Sequence, residues 1–517
     1  MIEPIALSRA IHGRGLAVSS LQMFESAELG HRVEKRDYDR AVTALRSKLL
    51  DAQMRVLERA EFPVVLLSGG VEGAGKGDVV NLLNEWMDPR HVQVHAMGEP
   101  SDEELSRPQM FRFWRRLPPK GKTGVFLGSW YTAPIVDRVY NRVTNAELTR
   151  SLSEIARFER MLVDEGTLVV KLWLHLSKKA QRKRFEKLES SRATAWRVTE
   201  QDWKFHQRYD RFREVSERTL RETSTAEAPW TVIEATDTRY RNLTVGRTLL
   251  DAIVKRLERG QRSAAVRAAP PPAPPVDARD VIEELDLSKR LAEAQYDKKL
   301  PRLQARLNAL AYDQRFREAA CVVVFEGNDA AGKGGAIRRV TRALDARIYD
   351  VIPTAAPTEE ERAQPYLWRF WRQVPRKGRF TLYDRSWYGR VLVERVESFA
   401  AEPDWLRAYR EIVDFEESLV RSGIVVVKLW LAISAQEQLK RFREREKTPF
   451  KRFKITPDDW RNRKKWDAYQ RAVCDMVDRT STDLAPWHLV EANDKRWARV
   501  KVLETICEAI EQALKSR

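Results

Sequence analysis

Cys321-Val322-Val323-Val324-Phe325 runs through Glu326 into Gly327-Asn328-Asp329-Ala330-Ala331-Gly332-Lys333-Gly334. The apolar run, rich in β-branched valine, predicts a short strand covered on both faces. The octet behind it matches the first seven positions of the phosphate-binding loop G-x-x-x-x-G-K, and a helical stretch follows from about 334 to 343. Such a turn wraps phosphate oxygens with main-chain N–H groups and adds the positive end of a helix and a lysine charge. Without a ligand, the same residues would make only a Gly-rich turn. Further strand patterns lie at 380–383, 424–431 and 487–490, with helical patterns at 404–421, 435–445, 457–478 and 496–514. This alternation predicts an α/β fold, a parallel sheet sandwiched by helices.

The same pattern occurs twice. Gly75-Lys76-Gly77 recurs as Gly332-Lys333-Gly334, and the offset of 257 also pairs Phe113-Trp114-Arg115 with Phe370-Trp371-Arg372. It pairs Ser129-Trp130-Tyr131 with Ser386-Trp387-Tyr388, Lys171-Leu172-Trp173 with Lys428-Leu429-Trp430, and Ala228-Pro229-Trp230 with Ala485-Pro486-Trp487. A register held over this distance makes the chain two tandem copies of one domain. We place an N-terminal arm at 1–35, the first copy at 36–259, a Pro-rich linker at 260–279 and the second copy at 280–517.

Composition sets the outer limits. Of 517 residues, 43% are apolar and 16 are Trp, enough to bury cores rather than stay disordered. No apolar run is long enough for a spanning helix, and no secretory leader is apparent, so the chain is expected to be soluble, cytoplasmic and off the membrane. Cys321, Cys474 and Cys507 form no framework and are expected to be reduced, buried and inert. The formal net charge of +18 suits nucleic acid, an anionic membrane or a polyanionic small substrate, or plain solvation.

The loop's eighth position narrows the chemistry. A standard P-loop places Ser or Thr there to bind Mg²⁺, whereas this one has Gly334. Another oxygen must then hold the metal, and two candidates fit, Asp329 in the loop and Asp384 at the end of the 380–383 strand. Asp384 stands where a Walker-B carboxylate belongs, although Asp384-Arg385-Ser386 also suits a helix cap. Between 440 and 465 lies a basic cluster around Pro449, including Arg441, Arg445, Lys451 and Lys454, readable as a solvated face or as a closing lid.

Three segments carry a resemblance. Residues 326–335, the run Tyr383-Asp384-Arg385-Ser386-Trp387-Tyr388-Gly389-Arg390, and Arg441-Phe442, Arg445, Pro449, Lys451, Lys454, Asp459, Arg463, Trp466 and Tyr469 together resemble the polyphosphate kinase 2 family. The resemblance implies a P-loop kinase-like fold with helical lids, and phosphoryl transfer between inorganic polyphosphate and adenine nucleotides with Mg²⁺, or Mn²⁺ as the alternative ion. Two fused copies resemble the AMP-phosphorylating class, so polyphosphate and AMP/ADP are the expected partners, and nucleic acid is not. Asp329, Lys333, Asp384 and Arg385 are then the expected catalytic residues, with Asp329 and Asp384 on the metal. Phosphate binding falls to the loop (Gly327, Asn328, Ala330, Ala331, Gly332, Gly334, Gly335) and to Arg390, Arg441, Arg445, Lys451 and Lys454. Arg369, Arg372 and Lys377 are candidates for the nucleotide phosphate, their forked or point charges suiting it. The neighbouring Trp and Phe are expected to pack rather than stack a base.

The first copy departs from this pattern. Leu127 stands opposite Asp384, Gly128 opposite Arg385, and Leu188, Ser190 and Thr194 opposite Arg445, Lys447 and Lys451. A leucine cannot ligate Mg²⁺, so the first copy is expected to be catalytically silent, with a regulatory phosphate-binding role left open. The competing readings are an ATP-dependent nucleoside monophosphate kinase, a polyphosphate kinase acting on nucleoside diphosphates, and a non-enzymatic nucleic-acid binder. A homo-oligomer stays open as well.

Overall fold

The computed structural model describes residues 23–259, 281–449, 453 and 455–515. The Pro-rich linker, the start of the arm and the lid residues Lys451 and Lys454 lie outside them. The first half holds β1 (Val64–Gly70), β2 (Val92–Ala96), β3 (Thr123–Leu127), β4 (Leu168–His175) and β5 (Trp230–Glu234) in the order β2-β3-β1-β4-β5. The second holds β6 (Ala320–Gly327), β7 (Tyr349–Pro353), β8 (Phe380–Asp384), β9 (Ile424–Ala432) and β10 (Trp487–Glu491) in the matching order β7-β8-β6-β9-β10. All pairings are parallel. Helices cover the sheets, as the strand–helix alternation requires.

β6 is buried almost throughout because β8 and β9 flank it and helices close both faces, which is why it reads as an unbroken apolar run. β7 escaped sequence reading for the opposite reason. It is an edge strand, only half-buried, and carries no apolar run. The helical pattern at 457–478 divides into Pro457–Lys464 and Trp466–Thr480, with Lys465 between them bonded through its ammonium to Val396 O and Glu397.

The halves share one core, in which Trp114 and Phe158 meet Trp371 and Phe415. Trp114 and Trp371, offset counterparts, stack with centroids 5.5 Å apart. Lys120 N–H donates to Ala363 O at 2.9 Å, and its counterpart Lys377 N–H donates to Ser106 O at 3.1 Å. This reciprocity is the mark of an isologous interface, here formed inside one chain.

Residues 23–34, within the expected N-terminal arm, pack on the first half. Phe24 is fully buried, stacked 4.6 Å from His175, and Glu234 accepts from the Gly30 and His31 N–H groups. Cys321 and Cys507 are buried, and burial pushes the Cys507 thiol up to about 12; Cys474 is only half-buried, against expectation. Among the described residues no helix is long and apolar enough to cross a membrane.

One buried polar network recurs in both halves. Lys428 donates to Glu416 and to Thr480 O, each at 2.7 Å, while Trp387 and Tyr388 donate to Glu416 at 2.9 and 2.7 Å. Lys171, Glu159, Thr223, Trp130 and Tyr131 repeat it in the first half. A network kept in both copies serves the fold rather than chemistry confined to one. Glu416→Ala leaves a buried ammonium without its partner and is expected to cost about 3–5 kcal/mol of stability. Glu159→Ala should cost about the same, and urea titration of each variant checks both.

Candidate active site at the carboxyl edge of the second sheet

Parallel pairing places the carboxyl ends of β6 and β8 side by side, with Phe325 opposite Asp384. The loop after β6 and the turn after β8 therefore face one crevice, the usual ligand position in such sheets. Gly327 has φ +148°, and a Cβ there would come within 2.4 Å of Leu431 O, so the loop's entry tolerates only glycine. Gly332, at φ +110°, starts the Lys333–Thr341 helix, whose amino end points into the loop.

Lys333 folds back over the loop, its Nζ donating to Gly327 O at 2.6 Å and Asn328 O at 3.3 Å. Burial, and next the nearby Arg385 charge, lower its pKa. Asn328 Oδ1 accepts from Ile433 N–H and so ties the loop to the end of β9. Asp329 accepts from Arg385 Nη2 at 2.6 Å and from Asn462 Nδ2 at 2.9 Å.

Asp384 ends β8, and its side chain has no hydrogen bond or ion pair among the described residues. A Cβ built on Gly334 would lie 4.0 Å from Asp384 Oδ2. The carboxylate thus borders the space that a P-loop Ser or Thr side chain would enter. Asp329 and Asp384 both lie within electrostatic reach of Lys333 and Arg385. Among the described residues no cluster of three or more His, Cys, Asp or Glu could hold a metal. Two carboxylates fit Mg²⁺ all the same, because that ion is commonly held by one or two of them, completed by water and substrate phosphates.

Arg385 and Ala330 carry backbone strain, each at φ +65°, where their counterparts Gly128 and Gly73 sit at +78° and +76°. Glu326 pins the Arg385 turn, accepting from Ser386 N–H at 2.8 Å and Ser386 Oγ at 2.9 Å. Sequence reading missed Glu326, although the offset opposite it shows Gly69.

Other expected residues are placed differently. Arg441 spends all five N–H donors on Glu437 and on the carbonyls of Ala330, Ala331, Ala492 and Asn493. It buttresses the loop from behind and has no donor left for phosphate. Lys377 precedes the first residue of β8, so it sits at the amino edge, a strand's length from the crevice, with its Nζ on Glu318. Arg390 is ion-paired with Glu394 at 2.9 Å and lies over Tyr366. Arg369 donates to Ala355 O, just past β7, and pairs with Glu361, while Arg372 pairs with Glu360. These two do stand at the carboxyl edge. Arg445 is near Asp459 and Asp329, whose charges oppose the lowering that burial imposes on its pKa.

In the first half Lys76 pairs with Glu72 at 2.8 Å, and Asp78, opposite Gly335, pairs with Arg197 at 2.6 Å. The chain's own carboxylates thus occupy the charges around that loop.

Comparison with known proteins agrees with this geometry. The family model for polyphosphate kinase 2 matches residues 32–261 and again 290–517. A polyphosphate:AMP phosphotransferase of Pseudomonas aeruginosa is 57% identical over 493 residues, covering 95% of this chain and 99% of the relative. One of the same name from Acinetobacter johnsonii is 37% identical, covering 86% and 90%. A crystal structure of a polyphosphate kinase 2 from Pseudomonas aeruginosa superimposes with a TM-score of 0.87 at 55% identity, covering 96% of this chain and all of that one.

Proposed function

We propose, because this chain belongs to the polyphosphate kinase 2 family, that its second half moves a phosphoryl group from inorganic polyphosphate to AMP, giving ADP. The observation that carries this reading is the Asp384 carboxylate, without a hydrogen bond or ion pair among the described residues, beside Gly334 of a loop whose Lys333 hydrogen-bonds there only to carbonyl oxygens. A phosphate oxygen of AMP attacks the terminal phosphorus of the polyphosphate. The new P–O bond forms as the bond to the penultimate phosphate breaks, and the chain leaves one unit shorter. No general base is required, since the acceptor is already an oxyanion at neutral pH.

The protein's part is positioning and charge neutralisation. The loop N–H groups and Lys333 hold the reacting phosphates, and Arg385 answers charge on the transferring group. Arg369 and Arg372 are the candidates for the AMP phosphate, and Arg445, with Lys451 and Lys454 beyond the described residues, for the polyphosphate chain. Asp329 and Asp384 would hold Mg²⁺, or Mn²⁺ in its place, which supplies further neutralisation of phosphate charge when bound.

The test is an activity panel with AMP, ADP and GMP as acceptors and polyphosphate or ATP as donor. ADP formation from AMP and polyphosphate is the expected main product. A strict requirement for ATP would instead favour a nucleoside monophosphate kinase, and a preference for ADP would favour a diphosphate kinase. EDTA should reduce turnover to background, and excess Mg²⁺ or Mn²⁺ should restore it. A rate indifferent to EDTA would remove the metal from the reaction.

A further inference from the structure

The lid helix reaches the loop carboxylate through a side chain that no motif marks. The Pro457–Lys464 helix lies over the loop, and its Asn462 donates through Nδ2 to Asp329 Oδ2 at 2.9 Å. Tyr469, from the next helix, donates its hydroxyl to Asn462 Oδ1 at 3.3 Å, which fixes the face of the amide turned to Asp329. Arg385 takes Asp329 Oδ1. Both carboxylate oxygens are therefore oriented, one by the turn after β8 and one by the lid.

The first half supplies an internal control. Its lid frame is the same: Gln181 Nε2 donates to Glu72 O at 3.0 Å, as Gln438 Nε2 does to Asp329 O at 3.2 Å. His206 Nδ1 stands 2.7 Å from Gln181 Oε1, as Arg463 Nη1 donates to Gln438 Oε1 at 3.1 Å. Yet Phe205 stands opposite Asn462 and Phe212 opposite Tyr469. Phe205 packs edge-on against Tyr140, and Phe212 stacks on Trp173. Glu72, opposite Asp329, turns to Lys76. Packing the lid helix therefore needs neither Asn462 nor Tyr469, and both polar groups occur only where the loop carboxylate faces the crevice.

We propose that Asn462 is a positioning residue that couples seating of the lid helix to the orientation of Asp329, with Tyr469 acting through it. The proposal rests on the phosphotransfer reading for its consequence in turnover, but the clasp itself exists without substrate. Seating the lid excludes water from the crevice, and the bond to Asp329 makes that seating and a competent loop the same event.

The experiment uses the full chain with Asn462→Ala, the isosteric Asn462→Asp, Tyr469→Phe and the Asn462→Ala/Tyr469→Phe double variant. Asn462→Asp places a second carboxylate against Asp329 at unchanged volume, and it keeps the test open should the alanine variant fail to fold. With AMP and polyphosphate, both Asn462 variants are expected to lose about 10-fold or more in kcat while KM for AMP changes less than about threefold. Tyr469→Phe should cost about threefold alone and nothing further in the Asn462→Ala background. Amide hydrogen exchange of residues 457–464, measured on the free protein, should quicken in the Asn462 variants. Wild-type kcat in both Asn462 variants with unchanged exchange would overturn the proposal, as would a Tyr469→Phe loss of equal size in both backgrounds. A wild-type chain inactive on AMP would instead sink the substrate reading, and the exchange measurement would still decide the clasp.

Discussion

Asp384→Asn is expected to lower kcat about 100-fold or more while leaving the fold intact. The two halves of that statement come from one observation. The Asp384 carboxylate makes no hydrogen bond or ion pair among the described residues, so the amide breaks nothing in the resting protein. It also removes a negative charge that repels Asp329 and attracts Lys333 and Arg385, effects of opposite sign that offset one another. Stability should therefore stay within about 0.5 kcal/mol of wild type, the range of substitutions that break no packing or bonding. Turnover is another matter. Under the proposed function, a carboxylate bordering Gly334 would be the ligand that replaces the missing Ser or Thr hydroxyl, and an amide has too little charge to replace it. Steady-state kinetics with thermal unfolding of the same samples separates the outcomes. A folded Asp384→Asn enzyme with near wild-type kcat would mean that another group holds the metal.

How far the sequence could be read follows from where each signal resides. β6, the loop and Asp384 are legible because their information is local, a run of valines, a spaced set of glycines, and a carboxylate at the end of the next strand. β7 is not, since an edge strand that is half exposed has no periodicity to display. Lys377 was misplaced because proximity in sequence to β8 conceals direction. Residues before a parallel strand lie at its amino edge, and only those after it reach the crevice. Arg441 looked like a phosphate ligand because a motif gives residue type but not hydrogen-bond partners, and its five donors meet carbonyls and Glu437 distant in sequence. Asn462 had a usable signal that motif matching did not reach. At the offset of 257 it faces Phe205, and a polar residue replaced by an aromatic one in the copy without Asp384 marks chemistry rather than packing.

The same internal comparison yields the sharpest expected contrast, that between Lys333→Ala and Lys76→Ala. Both lysines close a Gly-rich loop, and both donate to the carbonyl of its first glycine, at 2.6 Å from Lys333 and 3.1 Å from Lys76. They differ in what cancels their charge. Lys76 pairs with Glu72 at 2.8 Å, so its ammonium is neutralised by the loop itself and offers little to a phosphate. Among the described residues Lys333 hydrogen-bonds only to carbonyl oxygens, with Asp329, Asp384 and Glu326 nearby but not ion-paired with it, and burial lowers its pKa. A desolvated cation without a carboxylate in contact is costly to hold in a resting protein, and phosphate oxygens would repay that cost during turnover. Lys333→Ala should therefore lower kcat about 100-fold or more, without loss of thermal stability. Lys76→Ala should leave turnover within about a factor of three, since it lies in the other half and shares no bonding partner with Lys333. It should also free Glu72, whose charge then has no ammonium beside it. ADP formed from AMP and polyphosphate, measured on variants with matched circular dichroism, reads both effects. Should Lys76→Ala abolish turnover in a folded chain while Lys333→Ala preserves it, catalysis belongs to the first half and the assignment here is inverted.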